Sequence, residues 1–410
     1  MLVSLAWSSL GSRRKSVVLT FLSLLISISV LFSVEHIRLQ AKDSFNRTIS
    51  GVDIIVGAPS GQLNLLLYSV FRMGSPTNNI KFSSYQALNN SDQVKWAVPI
   101  SLGDSHRGFR VMGTSEDYFT HFKYGNKQSL NFAEGAPFTG IFETVIGADV
   151  AKKLNYKVGD RIVISHGIGA TSFKKHDKSP FVISGILKPT GTPVDKTVHV
   201  SLAGIEAVHF PASKLQQVLK DPSSVDIEPT SVTAVMLGLE SKFATFKLQR
   251  QINNYKEDKL MGILPGVALT ELWQMMGTVE NLLRVISALV LLSSLFGLST
   301  MLLASMQQRK GEIAVMRILG AGPRTIFSLV LLEALILVVL TVGASIGLVS
   351  GTLYLMSDWL ASQYGLFLSA NLISMNTLII AGIIITAATV TSVIPALEAY
   401  RNALHSRLSH

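Results

Sequence analysis

Four long apolar runs, and one long mixed stretch between the first and second of them, set the plan of this chain. Ser16–Val34 is nearly uninterrupted in apolar character and has about the 20 residues that cross a bilayer as a helix. It exceeds the apolar core of roughly 7–15 residues typical of a cleaved leader, and Glu35-His36-Ile37-Arg38 follows it instead of a small-x-small site. An uncleaved anchor with its amino terminus inside is expected. Apolar positions then continue at helical spacing through Ile37, Ala41 and Phe45, so the helix should extend outward as a stalk. A second helical pattern passes Leu269, Trp273, Met276, Val279, Leu283 and Ile286 into an apolar run ending near Ser305, mirroring the first.

Between the stalks the period changes. Alternating or short β-rich segments occur at Val52–Val56, Val94–Leu102, Phe109–Met112, Thr144–Ile146, Arg161–Ile164, Phe181–Ile186, Thr197–Leu202 and Val232–Leu239. Helical patterns at Ala148–Leu154 and Ala212–Leu219 lie among them, with Gly, Pro, Asn and Asp at the joins. A mixed α/β domain in two lobes is expected. The predicted organisation is an interfacial helix over 1–15 with Trp7 at headgroup level, a span over 16–34 and a stalk over 35–49. An extracytoplasmic α/β domain over 50–265 follows, then a stalk and second span over 266–305 and a connecting helix over 306–325. The remainder is a third span over 326–356, an outside loop over 357–374, a fourth span over 375–394 ended by Pro395, and a tail over 395–410. The fold class is thus membrane α-helical with four spans, plus a large mixed α/β domain inserted between helices 1 and 2.

Charge fixes the orientation of that plan. The net charge is +10, yet Lys and Arg gather beside the apolar runs: Arg13, Arg14 and Lys15, then Arg309, Lys310, Arg317 and Arg324, then Arg401 and Arg407. This is the positive-inside pattern, placing both termini and the 306–325 segment in the cytosol and the large domain outside. No basic patch interleaves with aromatics, so nucleic acid is not an expected partner. The 48% hydrophobic and 15% charged composition, with mean hydropathy +0.40, fits a membrane chain with one soluble domain. The absence of cysteine removes disulfides and thiolate chemistry from consideration.

Several stretches could carry chemistry. Gly57-Ala58-Pro59-Ser60-Gly61 lacks the lysine of a nucleotide-binding loop, no Gly-x4-Gly-Lys-Ser/Thr occurs, and no catalytic residues are expected. His106, His121, His166, His176, His199 and His209 lack the short spacing of a zinc motif and read as ordinary surface or satisfied histidines, with 172–178 a solvated loop. No metal ligand set is assigned. Glu333 lies about 10 Å inside the third run at the helical rise, where an acid must face protein or water; it reads as a helix-packing hydrogen bond or as a coupling residue. Gly343, Gly347 and Gly351 share one face of that run, and the pattern suits contacts within the chain or between two chains.

The segment Gln307–Phe327 is short, basic and apolar at once. Glu312 suits the amino-terminal end of a small helix and Arg317 its other end, Gly320 supplies a stop, and Pro323 opens the next helix. Ile313, Val315, Met316 and Leu319 form an expected docking face, with Glu312 and Arg317 as its polar contacts.

Arg309-Lys310-Gly-Glu312-Ile313-Ala-Val-Met-Arg317-Ile-Leu319-Gly320-Ala resembles the cytosolic segment of MacB/FtsX-like ABC transporter permeases, with Ala314 and Ile318 where that family commonly has Gly and Ala. Glu333 matches an acid often found in the family's following helix. Val145–Ala151 through Val158-Gly159-Asp160-Arg161-Ile162, and Phe181–Leu187 through Asp195, resemble parts of its periplasmic domain. The resemblance implies a non-catalytic permease subunit of a bacterial inner membrane, with no cofactor of its own. ATP and Mg would be bound by a separate ABC ATPase docked on the coupling helix. A second permease chain, identical or not, and a periplasmic accessory protein are further implied partners. In some members the stroke moves the periplasmic domain. Alternative roles are a regulatory scaffold that activates a periplasmic hydrolase, or ATP-driven handling of a cargo such as a lipid or zinc.

Overall fold

The computed structural model describes residues 2–167, 179–221, 225, 227–364, 369 and 371–405; the segment 172–178 with His176, and Arg407, lie outside the described residues. The helices are α1 (Leu2–Ser12), α2 (Arg14–Thr48), α3 (Gln62–Ser69), α4 (Phe82–Asn89), α5 (Asp117–His121), α6 (Ala148–Leu154), α7 (Leu202–Val208), α8 (Ala212–Lys220), α9 (Thr245–Asn253), α10 (Pro265–Gln308), α11 (Lys310–Ile318), α12 (Pro323–Tyr364) and α13 (Met375–His405). Two compact units emerge, one built from Met1–Gln40, Gly277–Trp359 and Leu368–His410, the other from Ala41–Met276 and Leu360–Phe367.

In the second unit one sheet of 11 strands carries the domain. The strands are β1 (Ile54–Gly57), β2 (Val94–His106), β3 (Phe109–Thr114), β4 (Phe132–Gly135), β5 (Glu143–Ile146), β6 (Arg161–Ile162), β7 (Ser165–His166), β8 (Phe181–Leu187), β9 (Thr197–Ser201), β10 (Ala234–Leu239) and β11 (Met261–Ile263). The order is β11-β1-β10-β2-β3-β9-β5-β8-β4, with β7 on β2 and β6 on β8. Because side chains alternate along a strand, neighbouring residues serve opposite faces. Ile55, Ile100, Met112, Val145 and Met236 belong to one continuous core under the sheet, closed by Leu65 and Leu66 of α3 and by Tyr118 and Phe119 of α5. The other face has two separate patches. One holds Ile54, Val56, Val235 and Leu237 with Leu248 and Ile252 of α9, and the other holds Val111, Ile146, Val198 and Val200 with Val150 of α6. The expected two lobes are therefore two patches on one face of a single sheet, because β3 pairs in parallel with β9 and carries the sheet across the join.

The two segments Val145–Ala151 and Phe181–Asp195 meet in this domain. An added Cβ at Gly147 would come within 2.3 Å of the Val194 carbonyl and 2.4 Å of the Asp195 carbonyl, so only glycine lets α6 start there. Asp195, 1% exposed, closes its turn by accepting from the Thr190 and Gly191 amides at 2.9 and 2.8 Å and from the Thr190 hydroxyl at 2.8 Å. Burial nonetheless holds this carboxyl above its ordinary pKa.

Among the described residues, four helices are long and apolar enough to cross a membrane: Arg14–Asp43, Pro265–Gln308, Pro323–Ser357 and Met375–Arg401. Polar contacts join them, including Ser27 to Ser294 at 2.5 Å and the Ser345 hydroxyl to the Leu25 carbonyl at 3.3 Å. Two expectations need correction. Helix α12 runs on to Tyr364, into the segment expected as a loop from 357, since 357–364 contains neither glycine nor proline. Pro395 does not end the fourth span but lies inside α13. The carbonyl that its missing N–H would have served is that of Thr391, and this oxygen accepts the Ser299 hydroxyl of α10 at 3.1 Å.

Candidate functional site

The short helix α11 begins and ends with defined chemistry. Arg309 stands at its N-cap and Glu312 in its first turn, the end of a helix dipole that favours an acid. At the other end Gly320 has φ +98°, the Ala321 amide donates to the Met316 carbonyl at 2.9 Å, and the Gly320 amide donates to Arg317 at 3.0 Å. These two bonds are the Schellman pair, and they satisfy carbonyls that the helix end leaves open. Pro323 then occupies the first position of α12, where a missing N–H costs nothing. The turn from α11 into α12 is thus written in Gly320 and Pro323.

Helix α11 leaves an apolar face uncovered. Val315 is 56%, Ile318 85% and Leu319 82% exposed, at i, i+3 and i+4. Ile313, Met316 and Arg317 are half-buried. Of the expected docking face, Val315 and Leu319 are open, while Ile313 and Met316 turn partly inward. Ile318, one of the apolar residues of this stretch but not of the expected docking face, joins the open face. Its signal was its spacing from Val315.

Behind α11 lies a buried charge cluster centred on Glu333, itself 1% exposed. Arg309 Nη1 donates to Glu333 Oε1 at 2.8 Å, and Arg309 Nε donates to Glu312 Oε2 at 2.8 Å. Arg13, at the joint between α1 and α2, donates from Nη2 to Glu333 Oε2 at 2.9 Å and to the Ser9 hydroxyl at 2.8 Å. The Ser9 hydroxyl in turn donates to Glu333 Oε1. Two arginines and two glutamates balance, so the acid of the third span is answered by cations at the ends of its neighbours. Several bonds, not one, hold Glu333: its carboxylate meets Ser9 of α1, Arg13 at the α1–α2 joint and Arg309 at the N-cap of α11. Ser9, Arg13 and Arg309 were not expected here; the signal was that an acid in an apolar span requires cations, and the nearest clusters sit at the span ends.

The glycine face behaves differently. Gly343, Gly347 and Gly351 are all exposed, and a Cβ added at any of them would meet nothing within 4 Å. Contacts within the described chain do not account for this stripe. Among the described histidines, His106 and His121 have partners, while His199 leaves Nε2 buried without a hydrogen bond. His106 is bonded through Nδ1 to the Val163 carbonyl at 2.6 Å and through Nε2 to the Tyr156 hydroxyl at 3.0 Å, and His121 stacks on Trp96. His199 is fully buried, with Nδ1 at 3.2 Å from the Val145 carbonyl, and burial together with nearby Arg72 pushes its pKa down to about 3. Among the described residues no three His, Cys, Asp or Glu side chains gather as metal ligands.

Comparison with known proteins covers both units. Residues 17–255 match the family model of the MacB-like periplasmic core domain, more than half of the chain, and residues 284–404 match that of the FtsX-like permease C-terminal region. Among solved structures, the periplasmic region of MacB from Actinobacillus actinomycetemcomitans aligns over 57% of this chain and 95% of that one, at 13% identity and a TM-score of 0.33. No curated protein matches the chain. On these two models, the first of which matches more than half of the chain, the chain belongs to the MacB/FtsX-like family of ABC transporter permeases.

Proposed function

We propose that this permease takes its power from a separate ABC ATPase that docks on α11, and that it spends the stroke on moving its large domain outside the membrane. The observation that carries the reading is the uncovered Val315, Ile318 and Leu319 face on a helix whose ends are fixed by the Gly320 turn and by Arg309. An apolar face of that kind is held ready by its scaffold, and a groove on a soluble partner would cover it. Glu312, whose side chain is 61% exposed beyond its bond to Arg309, and Arg317 would supply the polar rim.

In this reading both termini and α11 face the cytosol of a bacterium, and the domain faces the periplasm, since the basic clusters all lie on one side of the spans. ATP and Mg belong to the partner. A second permease chain completes the transporter.

The test is co-purification of the ATPase with the intact permease from its own membranes. Ile318→Asp puts a charge on the open face without touching the buried cluster, and Met316→Asp does so at its half-buried edge. Each should remove the ATPase while the permease still inserts. Retention of the ATPase by Ile318→Asp would overturn the docking role of α11.

A further inference from the structure

The core of the large domain holds a buried cation that no carboxylate among the described residues answers. Arg72 lies on the loop after α3, at φ +58°, and is only 9% exposed. Its Nη2 donates to the sulfur of Met112 on β3 at 2.6 Å, while Nε and Nη1 are buried with no hydrogen-bond partner. The chain treats other buried arginines differently: Arg13 and Arg309 both meet Glu333.

A guanidinium stays charged at any pH the protein meets, and a buried charge without a counter-charge is costly. The groups around Arg72 do not supply one. Tyr118 of α5 interacts with Arg72 at short range, yet burial pushes its hydroxyl up to about 12, so it stays a neutral donor. That hydroxyl is itself buried without a partner. The Met112 thioether is neutral and a weak acceptor. His199 of β9 stands opposite Met112 in the parallel register, and burial with Arg72 keeps its ring neutral. Arg110, two residues before Met112 and so on the same face of β3, adds a second positive charge. Its Nη2 donates to the Gly74 carbonyl, on the same loop as Arg72, at 2.5 Å.

We propose that the large domain binds a monovalent anion of chloride size, which accepts hydrogen bonds from Arg72 and Tyr118 where the guanidinium meets Met112. Nη2 shares one edge of the planar fork with Nε and another with Nη1. An anion at the sulfur's place therefore accepts from Nη2 and from an orphaned nitrogen at once. Chloride and a thioether sulfur are close in radius, and Met112 is unbranched and flexible, so the exchange needs little room. The anion balances Arg72 and completes the core, however the permease is powered.

The test is thermal unfolding of the full chain in nanodiscs, with salts compared at an ionic strength of roughly 0.15 M. Sodium chloride and sodium bromide should each raise the melting temperature by about 3 °C over sodium gluconate, as a ligand of the folded state does by mass action. Arg72→Leu should abolish that difference. In gluconate it should melt at or above the parent chain, because an unbalanced buried charge is gone. Tyr118→Phe keeps the ring and should need about tenfold more chloride for half the shift, since one hydrogen bond to a charged group is lost. A parent chain that melts alike in chloride and gluconate has water in this place, and that overturns the proposal. So does an Arg72→Leu variant that keeps the parent's difference. Should Arg72→Leu not fold, an unchanged chloride midpoint in Tyr118→Phe overturns it.

Discussion

A carboxylate inside an apolar helix is tolerated only when cations reach it, and at Glu333 two do. Removing one partner of a buried pair leaves the others uncompensated, at a cost of about 3–5 kcal/mol, whereas replacing the whole set by apolar residues costs far less. Glu333→Leu should therefore lower thermal stability in nanodiscs more than the combined Arg13→Met, Arg309→Met, Glu333→Leu variant does. His199 gives a second residue-scale expectation. Its pKa falls from 6.5 to about 3 on folding, so between those values the unfolded chain binds the extra proton. Stability of the outer domain should fall as pH drops below 6.5, by at most about 1.4 kcal/mol per pH unit. His199→Phe, beside the rings of Tyr118 and Phe119, should flatten that slope in full-chain thermal unfolding. An unchanged slope would assign the pH dependence to other groups. Glu333 was legible as an anomaly because a charge in an apolar run is visible in sequence. Its partners were not, since Ser9 and Arg13 lie more than 300 positions away and only packing unites them.

At the scale of elements, most of what periodicity predicts is present, because strands with a buried face and spans with an apolar surface each leave their own period. The failures are at ends. Pro395 was expected to stop α13, and by its own chemistry it should, but Ser299 takes the carbonyl that it frees. That rescue is tertiary and cannot be seen locally. Ser299→Ala should cost about 0.5–1.5 kcal/mol, as for a lost hydrogen bond. Pro395→Ala supplies an N–H for the Thr391 carbonyl, so the double variant Ser299→Ala, Pro395→Ala should lose less than Ser299→Ala alone. A double-mutant cycle by thermal unfolding in nanodiscs reads the difference, and simple additivity would remove the role assigned to Ser299. The turn at Gly320 and Pro323 is the opposite case: a glycine at positive φ and a proline at N1 are local necessities, and both were readable in place.

At the scale of the whole molecule, the exposed face of Gly343, Gly347 and Gly351 is the feature that one chain leaves unexplained. Small residues every fourth position allow two helix backbones to approach closely in lipid, where apolar side chains alone give no preference for protein over acyl chain. Within the described chain nothing lies within 4 Å of a side chain added at any of the three. Gly347→Leu should thus fit the single chain without clash, and by helix propensity alone it should stabilise α12 by roughly 0.5–1 kcal/mol. If a second permease chain packs on this face, the same leucine stands in the contact and separates the helices. Native mass spectrometry of the permease from nanodiscs should then show the dimer of the parent chain lost in Gly347→Leu, with the thermal stability of the monomer unchanged or raised. A dimer that survives Gly347→Leu would mean that the glycine face meets lipid and that the two chains join elsewhere. Loss of monomer stability together with the dimer would place the contact within the chain after all. The three outcomes separate because the stripe is exposed and, among the described residues, no neighbour lies within 4 Å of a side chain added there.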